Sequence, residues 1–595
     1  MKFRKFISEL NRRNVIKSTI AYLAVAWVII QIASIILPTF NAPDYTLKIL
    51  IYLLSVGLII WVGFSWTYDL TPEGFEKTKK DTINVEFNRQ TNRRLNLIIA
   101  GALLLAVLLL ISVSFWAGSR WNEGFLKQTT KKIAVIPLEH DIDGGETEDY
   151  FKTGMTNELI NELSKVDQLT IINQASTELL TTNLSSASFV FTNVIEQVDY
   201  FIYGSINRLE NTVEVFLELK EKINSKPIWQ KRYSRDISEV RLLWAEAASD
   251  LAMQMGIEVK LEDSVLWSNL KRVNPETYEL YLKGKHYLNK STEEDWQRGM
   301  VYLNEAKERN PSDPNAYAGL AEGYITLGHG PAPPPDVFSK ALEAAKRAIQ
   351  LDSTNAEGWA ALAHYHTYFG WDWKLAEYAF KRANTLNPNM AYNHYHRAWY
   401  LAIFGRMNEA IEEHRRAQEL DPFTPLHTAW LGELYRMVGE YEKGLIEVEK
   451  AAQMQDDYAL SMLVKGKILM DQGKYEEGLG ILKQASEIVG AWKYSGYAPA
   501  LIKAGRKEEA KTIIQELEAK SPNGWRALCL AGLYSKLGDF DKALEWFNYK
   551  EKHAWFPGIR IFEYPEELQK DPRFLKLISD MNLPYPSPLI YDPDL

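Results

Sequence analysis

The sequence predicts a multidomain chain: three N-terminal transmembrane helices, a small mixed-sheet α/β domain, and an all-α solenoid of helix pairs. Three observations predict it. Long apolar runs are confined to about the first 120 residues. Short β-branched runs alternate with an amphipathic stretch between about 131 and 260. Glycine then recurs just after an apolar-periodic stretch at Gly328, Gly370, Gly405, Gly439, Gly473, Gly505 and Gly538, at intervals near 34 residues.

Composition narrows the function classes. The chain has 595 residues, 46% hydrophobic and 24% charged, with a formal charge of −9. That excludes a chain disordered throughout, a collagen-like fibre and a many-spanning transporter. No global basic field suggests nucleic acid. Cys529 is the one cysteine, so neither an internal disulfide nor a cysteine-based zinc site is possible.

Apolar stretches at about 18–37, 47–66 and 97–117 each have the length of a transmembrane helix. Lys2, Arg4, Lys5, Arg12, Arg13 and Lys17 precede the first; Lys77, Lys79, Lys80, Arg89, Arg93 and Arg94 precede the third. Basic residues favour the cytoplasmic side. The expectation is a membrane anchor over 1–120, its N-terminus cytoplasmic and everything beyond about 120 on the far side; in a Gram-negative cell that is an inner-membrane protein with a periplasmic remainder.

Between 131 and 260, strands are expected at Ile133–Pro137, Leu169–Ile172, Tyr200–Tyr203, Thr212–Leu219 and Ile228–Tyr233. Phe151, Met155, Leu159, Ile160 and Leu163 share one helical face. Leu209 to Thr212 reads as a hairpin turn, and Val240 to Met255 as a closing helix. The pair Gly144-Gly145 lacks the Lys-Ser/Thr ending of a phosphate loop. Asp141, Asp143 and Asp149 fall in a loop rather than on adjacent strands, so no catalysis and no cofactor are expected.

The repeat array should run from 274 to 560 in about eight units, with a capping helix and Pro-rich tail over 561–595. Small residues stand where paired helices approach: Ala321, Ala363, Ala398, Gly432, Gly466, Ala498 and Ala531 in first helices, and Ala341, Ala376, Ala410, Gly444, Gly478, Ala510 and Ala543 in second helices. One pair cannot bury its apolar face alone; stacked pairs share a core and curve around a concave face. His364-Tyr-His366 and His394-Tyr-His396 put two imidazoles on opposite sides of a helix, which does not chelate one ion. Pro331 to Pro335 reads as a stiff loop inside an insertion.

Three resemblances follow from these residues. The runs Phe6 to Lys17, Ala21 to Trp27 and Leu70 to Gly74 resemble the N-terminal membrane segment of a bacterial group whose members are often labelled adenylate cyclase. In that group the segment leads into a TolB-like (FlgO-like) domain and tetratricopeptide repeats. Ile133, Phe151 to Ile160 and Tyr203 to Ser205 resemble the TolB-like domain, and the 34-residue array resembles the tetratricopeptide family. The resemblance implies a non-enzymatic scaffold that holds protein partners in an envelope or secretion complex. The alternative is a transmembrane sensor whose loop from Asp69 to Asn96 reports a signal. Laid on this sequence, the repeat family's groove positions include His364, Tyr368, Tyr395, Trp399, Glu433, Arg436 and Met437.

Overall fold

The computed structural model describes, short gaps aside, residues 130–139, 146–177, 196–257 and 272–583, with helical pieces and two strands between 15 and 77. The chain divides into two compact units, Met1–Thr129 and Thr130–Leu595.

In the first unit, Val15, Ala26, Ile29 and Leu50 are buried. The Tyr22 hydroxyl donates to the Leu54 carbonyl at 3.0 Å, and its ring stacks on Trp61. Strands β1 (Tyr68–Thr71) and β2 (Gly74–Lys77) pair antiparallel, with Thr71 opposite Gly74. The three expected transmembrane helices are corrected here. Hydropathy counts apolar residues in a run, whereas crossing a bilayer needs one continuous apolar helix of about 20 residues. Among the described residues no helix is long and apolar enough to cross a membrane. The inner-membrane location, cytoplasmic N-terminus and periplasmic remainder fall with it. The stretch 97–117 lies outside the described residues.

The second unit opens with a five-stranded sheet in the order β4-β3-β5-β6-β7. The strands are β3 (Lys131–Val135), β4 (Leu169–Ile172), β5 (Tyr200–Leu209), β6 (Thr212–Glu221) and β7 (Trp229–Asp236). β3 runs parallel to β4 and β5; β5, β6 and β7 form an antiparallel meander. Its first hairpin turns through Glu210 at φ 52°. Helices α1 (Glu146–Ser164) and α2 (Val240–Gln254) cover the sheet.

Eight helix pairs follow among the described residues. They are α3 (Pro275–Leu288) with α4 (Glu293–Arg309), and α5 (Pro314–Gly328) with α6 (Val337–Leu351). Next come α7 (Ala356–Tyr365) with α8 (Trp373–Leu386), and α9 (Ala391–Ile403) with α10 (Met407–Leu420). Then come α11 (Pro425–Met437) with α12 (Tyr441–Met454), and α13 (Ala459–Asp471) with α14 (Tyr475–Ile488). The last are α15 (Ala498–Lys503) with α16 (Lys507–Glu518), and α17 (Gly524–Leu537) with α18 (Phe540–Phe547). The short α19 (Glu566–Gln569) and α20 (Pro572–Asp580) close the array.

Sequence spacing explains the pairing. Five of the periodic glycines, Gly405, Gly439, Gly473, Gly505 and Gly538, take φ between 74° and 86° at the bend between paired helices, a left-handed conformation that a Cβ disfavours. In the third pair the left-handed residue is Trp371 (φ 49°), one place after the expected Gly370. There α7 ends in a π-helical turn, His366–Gly370. Where two first- and second-helix glycines meet, the backbones nearly touch: a Cβ on Gly444 would lie 3.0 Å from the Gly432 carbonyl.

One apolar core runs from Ile133 in the sheet to Leu583 beyond α20. The joint between sheet and repeats is built at β4, an edge strand whose free N–H and C=O groups need partners. Asn389, just before α9, supplies them. Its side-chain amide donates to the Ser164 and Leu169 carbonyls, both at 3.0 Å, and its Oδ1 accepts from Arg416 at 3.0 Å. The Asn173 backbone N–H donates to the Leu420 carbonyl at 2.8 Å, and the Ser176 hydroxyl donates to Asp421 at 2.7 Å.

Candidate functional site

First helices of the pairs contribute to two cavities among the described residues. At the N-terminal end α1 lies against α3, closely enough that a Cβ on Gly154 would sit 2.8 Å from the Leu282 side chain. Between α1 and the first helices remains a cavity of about 190 Å³. Asn157, Glu158, Lys285, Glu322, Glu357 and His364 are among its lining residues. Lys285 Nζ lies 2.6 Å from Glu322 and 3.6 Å from Glu357. Burial would lower this lysine; the two carboxylates outweigh it and hold the ammonium above the usual lysine range.

At the C-terminal end a larger cavity, about 470 Å³, is lined by Trp399, Trp430, Trp492, Trp525 and Trp555 together with a charged group. Arg436 grips both oxygens of Glu433 (2.9 and 3.1 Å) and reaches Asp471 at 2.5 Å and Glu563 at 3.0 Å. Lys467 adds a bond to Glu433 at 3.0 Å. Burial would raise Glu433, but Arg436 and Lys467 hold its carboxyl down to about 2. Lys536 points its ammonium at the Glu563 carbonyl, 2.9 Å away, and burial lowers it from the usual lysine range.

The seven expected groove residues separate on this geometry. Trp399, Glu433, Arg436 and Met437 line the large cavity, and His364 lines the small one. Tyr368 and Tyr395 line neither. Tyr368, in the π-helical turn, puts its hydroxyl 2.8 Å from His396 Nδ1. Tyr395 packs among the rings of Tyr392, His396, His414 and His427. Both are buried, as are His364, Trp399 and Glu433.

Trp430, Trp492, Trp525, Trp555 and Lys536 were not anticipated. The first three stand at or beside first helices, where their periodic positions could have marked them. Trp555 lies beyond the last pair, and no periodicity places it against Trp399 and Trp430. The pair His394 and His396 is structural. His394 bonds Glu413 at 2.6 Å and the Pro388 carbonyl at 3.0 Å. Among the described residues no group of three or more His, Cys, Asp or Glu is arranged to hold a metal ion. Asp141 and Asp143 lie outside the described residues. The Pro331 loop is tied down by Asn523, which donates to the Pro331 carbonyl at 3.2 Å.

No family model matches this chain. A Rhizobium meliloti protein named "Putative adenylate cyclase 3" is 23% identical over 235 residues, 39% of each chain. The Salmonella typhimurium "Transcriptional regulator HilA" is 27% identical over 219 residues, 36% of this chain and 39% of HilA. "Anaphase-promoting complex subunit 3" of Schizosaccharomyces pombe is 26% identical over 189 residues, 31% of this chain and 26% of that protein. The chain thus spans about two fifths or less of the length of these curated relatives. Among solved structures, a thermophilic TPR protein of Thermus thermophilus superposes on 33% of this chain and 99% of its own, at 20% identity and a TM-score of 0.28. A tetratricopeptide repeat protein of Parabacteroides merdae covers 44% and 98%, at 17% identity and a TM-score of 0.31. At these scores the likeness decides nothing about function.

Proposed function

We propose that this chain is a non-enzymatic adaptor that holds a segment of a protein partner in the C-terminal half of its repeat groove. The observation that carries the reading is the 470 Å³ cavity, walled by five tryptophans and bordered by the Arg436 network. Large rigid aromatics beside a preformed charge array are the chemistry of interface anchors. An apolar partner side chain entering there would desolvate Trp492 and Trp525, while polar groups on the same segment meet Lys467, Lys503 and Lys536. The sheet-bearing portion, read as TolB-like from its resemblance, then serves as a second interaction surface fused to the array through Asn389. To test the reading, full-length protein and its Met437→Ala and Trp492→Ala variants are used as baits, with partners quantified by mass spectrometry. A partner captured by the wild type, lost in both variants and cross-linked to residues of this cavity supports it. Equal capture by all three removes it.

A second reading, a signal-responsive regulatory module, is favoured by the names of two relatives, a transcriptional regulator and a proposed cyclase. In that reading the same cavity receives the signal-bearing protein. It predicts that partner loss changes transcript levels in the source cell, which a simple scaffold would leave unaltered.

A further inference from the structure

The small cavity between α1 and the first helices carries charged groups the adaptor role does not use. Glu158 from α1, Glu322 from α5 and Glu357 from α7 all line it. Lys285 is the one lysine or arginine among its lining residues, and it is already shared between Glu322 and Glu357. Three carboxyl groups therefore face this half-open space against one lining lysine.

A second, independent feature points the same way. His364 is 1% exposed and lines this cavity, yet neither of its ring nitrogens has a hydrogen-bond partner. A buried imidazole without partners is costly, and a ligand donor in the cavity would satisfy its acceptor nitrogen. Tyr281 and Tyr392 line the same space, and aromatic rings favour an ammonium. The volume equals the share of about six water molecules in the liquid, room for a small organic molecule.

We propose that this cavity binds a small protonated amine, its ammonium donating to Glu357, Glu158 and the free nitrogen of His364. The site is independent of the large cavity. Glu158 supports the assignment: burial raises its carboxyl to about 7, with Arg241 from α2 opposing and Glu162 and Glu357 reinforcing the rise. Lys165, beyond α1, also opposes it, and Tyr278 from α3 packs against the same carboxyl. A cationic ligand would draw the proton from Glu158, so amine affinity rises from about pH 6 to about pH 8.

The test is calorimetric titration of the full chain with ethanolamine and 1,4-diaminobutane, beside ethylene glycol and succinate as neutral and anionic controls. Saturable binding of an amine, absent for both controls and weakened about tenfold or more by Glu357→Gln, is the expected result. Should Glu357→Gln fail to give a native circular-dichroism spectrum, Glu158→Gln serves, and it must also flatten the pH dependence. Tighter binding of succinate, no saturable binding of either amine, or unchanged amine affinity in the folded variants overturns the proposal. Partner capture at the large cavity is read on the same variants and stays at the wild-type level, so the two sites are judged separately.

Discussion

Trp555 stands edge-on to Trp399, with ring centroids 5.4 Å apart and planes at 88°. The contact joins the segment after the last helix pair to the first helix of the fourth pair, α9. Trp430 and Tyr368 share the same ring, at 5.9 and 6.1 Å. A residue that the repeat pattern alone would leave open to a partner is thus covered by the chain's own tail.

Trp399 and Tyr395 are therefore expected to act as core residues. Trp399→Ala and Tyr395→Ala should each cost about 3–5 kcal/mol, the range for burying and then deleting a large aromatic. Urea denaturation followed by circular dichroism measures it. Loss of less than about 1 kcal/mol in either variant would mean that the side chain does not carry packing.

Acid sensitivity follows from the buried histidines. Burial lowers His364 and His396 well below the ordinary value, His414 to about 3 and His553 to about 4. Each folded-state pKa is depressed below the unfolded value of about 6.5. The unfolded chain then binds more protons, so stability is fully present above about pH 6.5 and is lost as pH falls below it. Each such group contributes about 1.4 kcal/mol per pH unit in that window. The urea midpoint should fall steeply between about pH 6.5 and about pH 4.5, and His414→Gln should reduce the slope. A midpoint flat across this window contradicts the burial of neutral imidazoles.

The bend glycines give a conformational prediction free of packing. At Gly439 and Gly473, φ is 77° and 79°, and an added Cβ would meet nothing within 4 Å. Alanine at either position should therefore destabilise by about 1–2 kcal/mol through backbone strain alone. Thermal melts of the single variants check this, and unchanged melting would mean the bend relaxes to another conformation.

Asn389→Ala tests the joint between sheet and repeats. It strips partners from the Ser164 and Leu169 carbonyls, each loss worth about 1–3 kcal/mol when buried. Faster amide exchange confined to β4 and the end of α1 is the expected signature. Uniform change across the chain would mean that Asn389 supports global stability rather than this joint.

Much of this architecture was legible because it rests on short-range physics. Val213, Val215, Leu217 and Leu219 alternate inward as a period-two strand must, and all are buried. The bend glycines announced themselves by spacing. What stayed hidden depends on contacts distant in sequence. Asn389 reaches Leu169, 220 positions away, and Trp373 donates to the Met581 carbonyl 208 positions on. Nothing local in either residue signals such a partner. The N-terminal expectation rested on apolar runs, and among the described residues no helix is long and apolar enough to cross a membrane.

The central claim is that the large cavity receives the partner, and Gly532→Phe tests it most directly. Gly532 lines that cavity on α17, and a Cβ there meets nothing within 4 Å. A phenyl group should therefore enter the cavity from a Cβ that meets no neighbour, and replacing a helix-interior glycine favours the helix by itself. Melting temperature and partner capture are measured on the same preparation. The account predicts melting at or above that of the wild type, with capture lost. Full capture by a stably folded Gly532→Phe protein would contradict it.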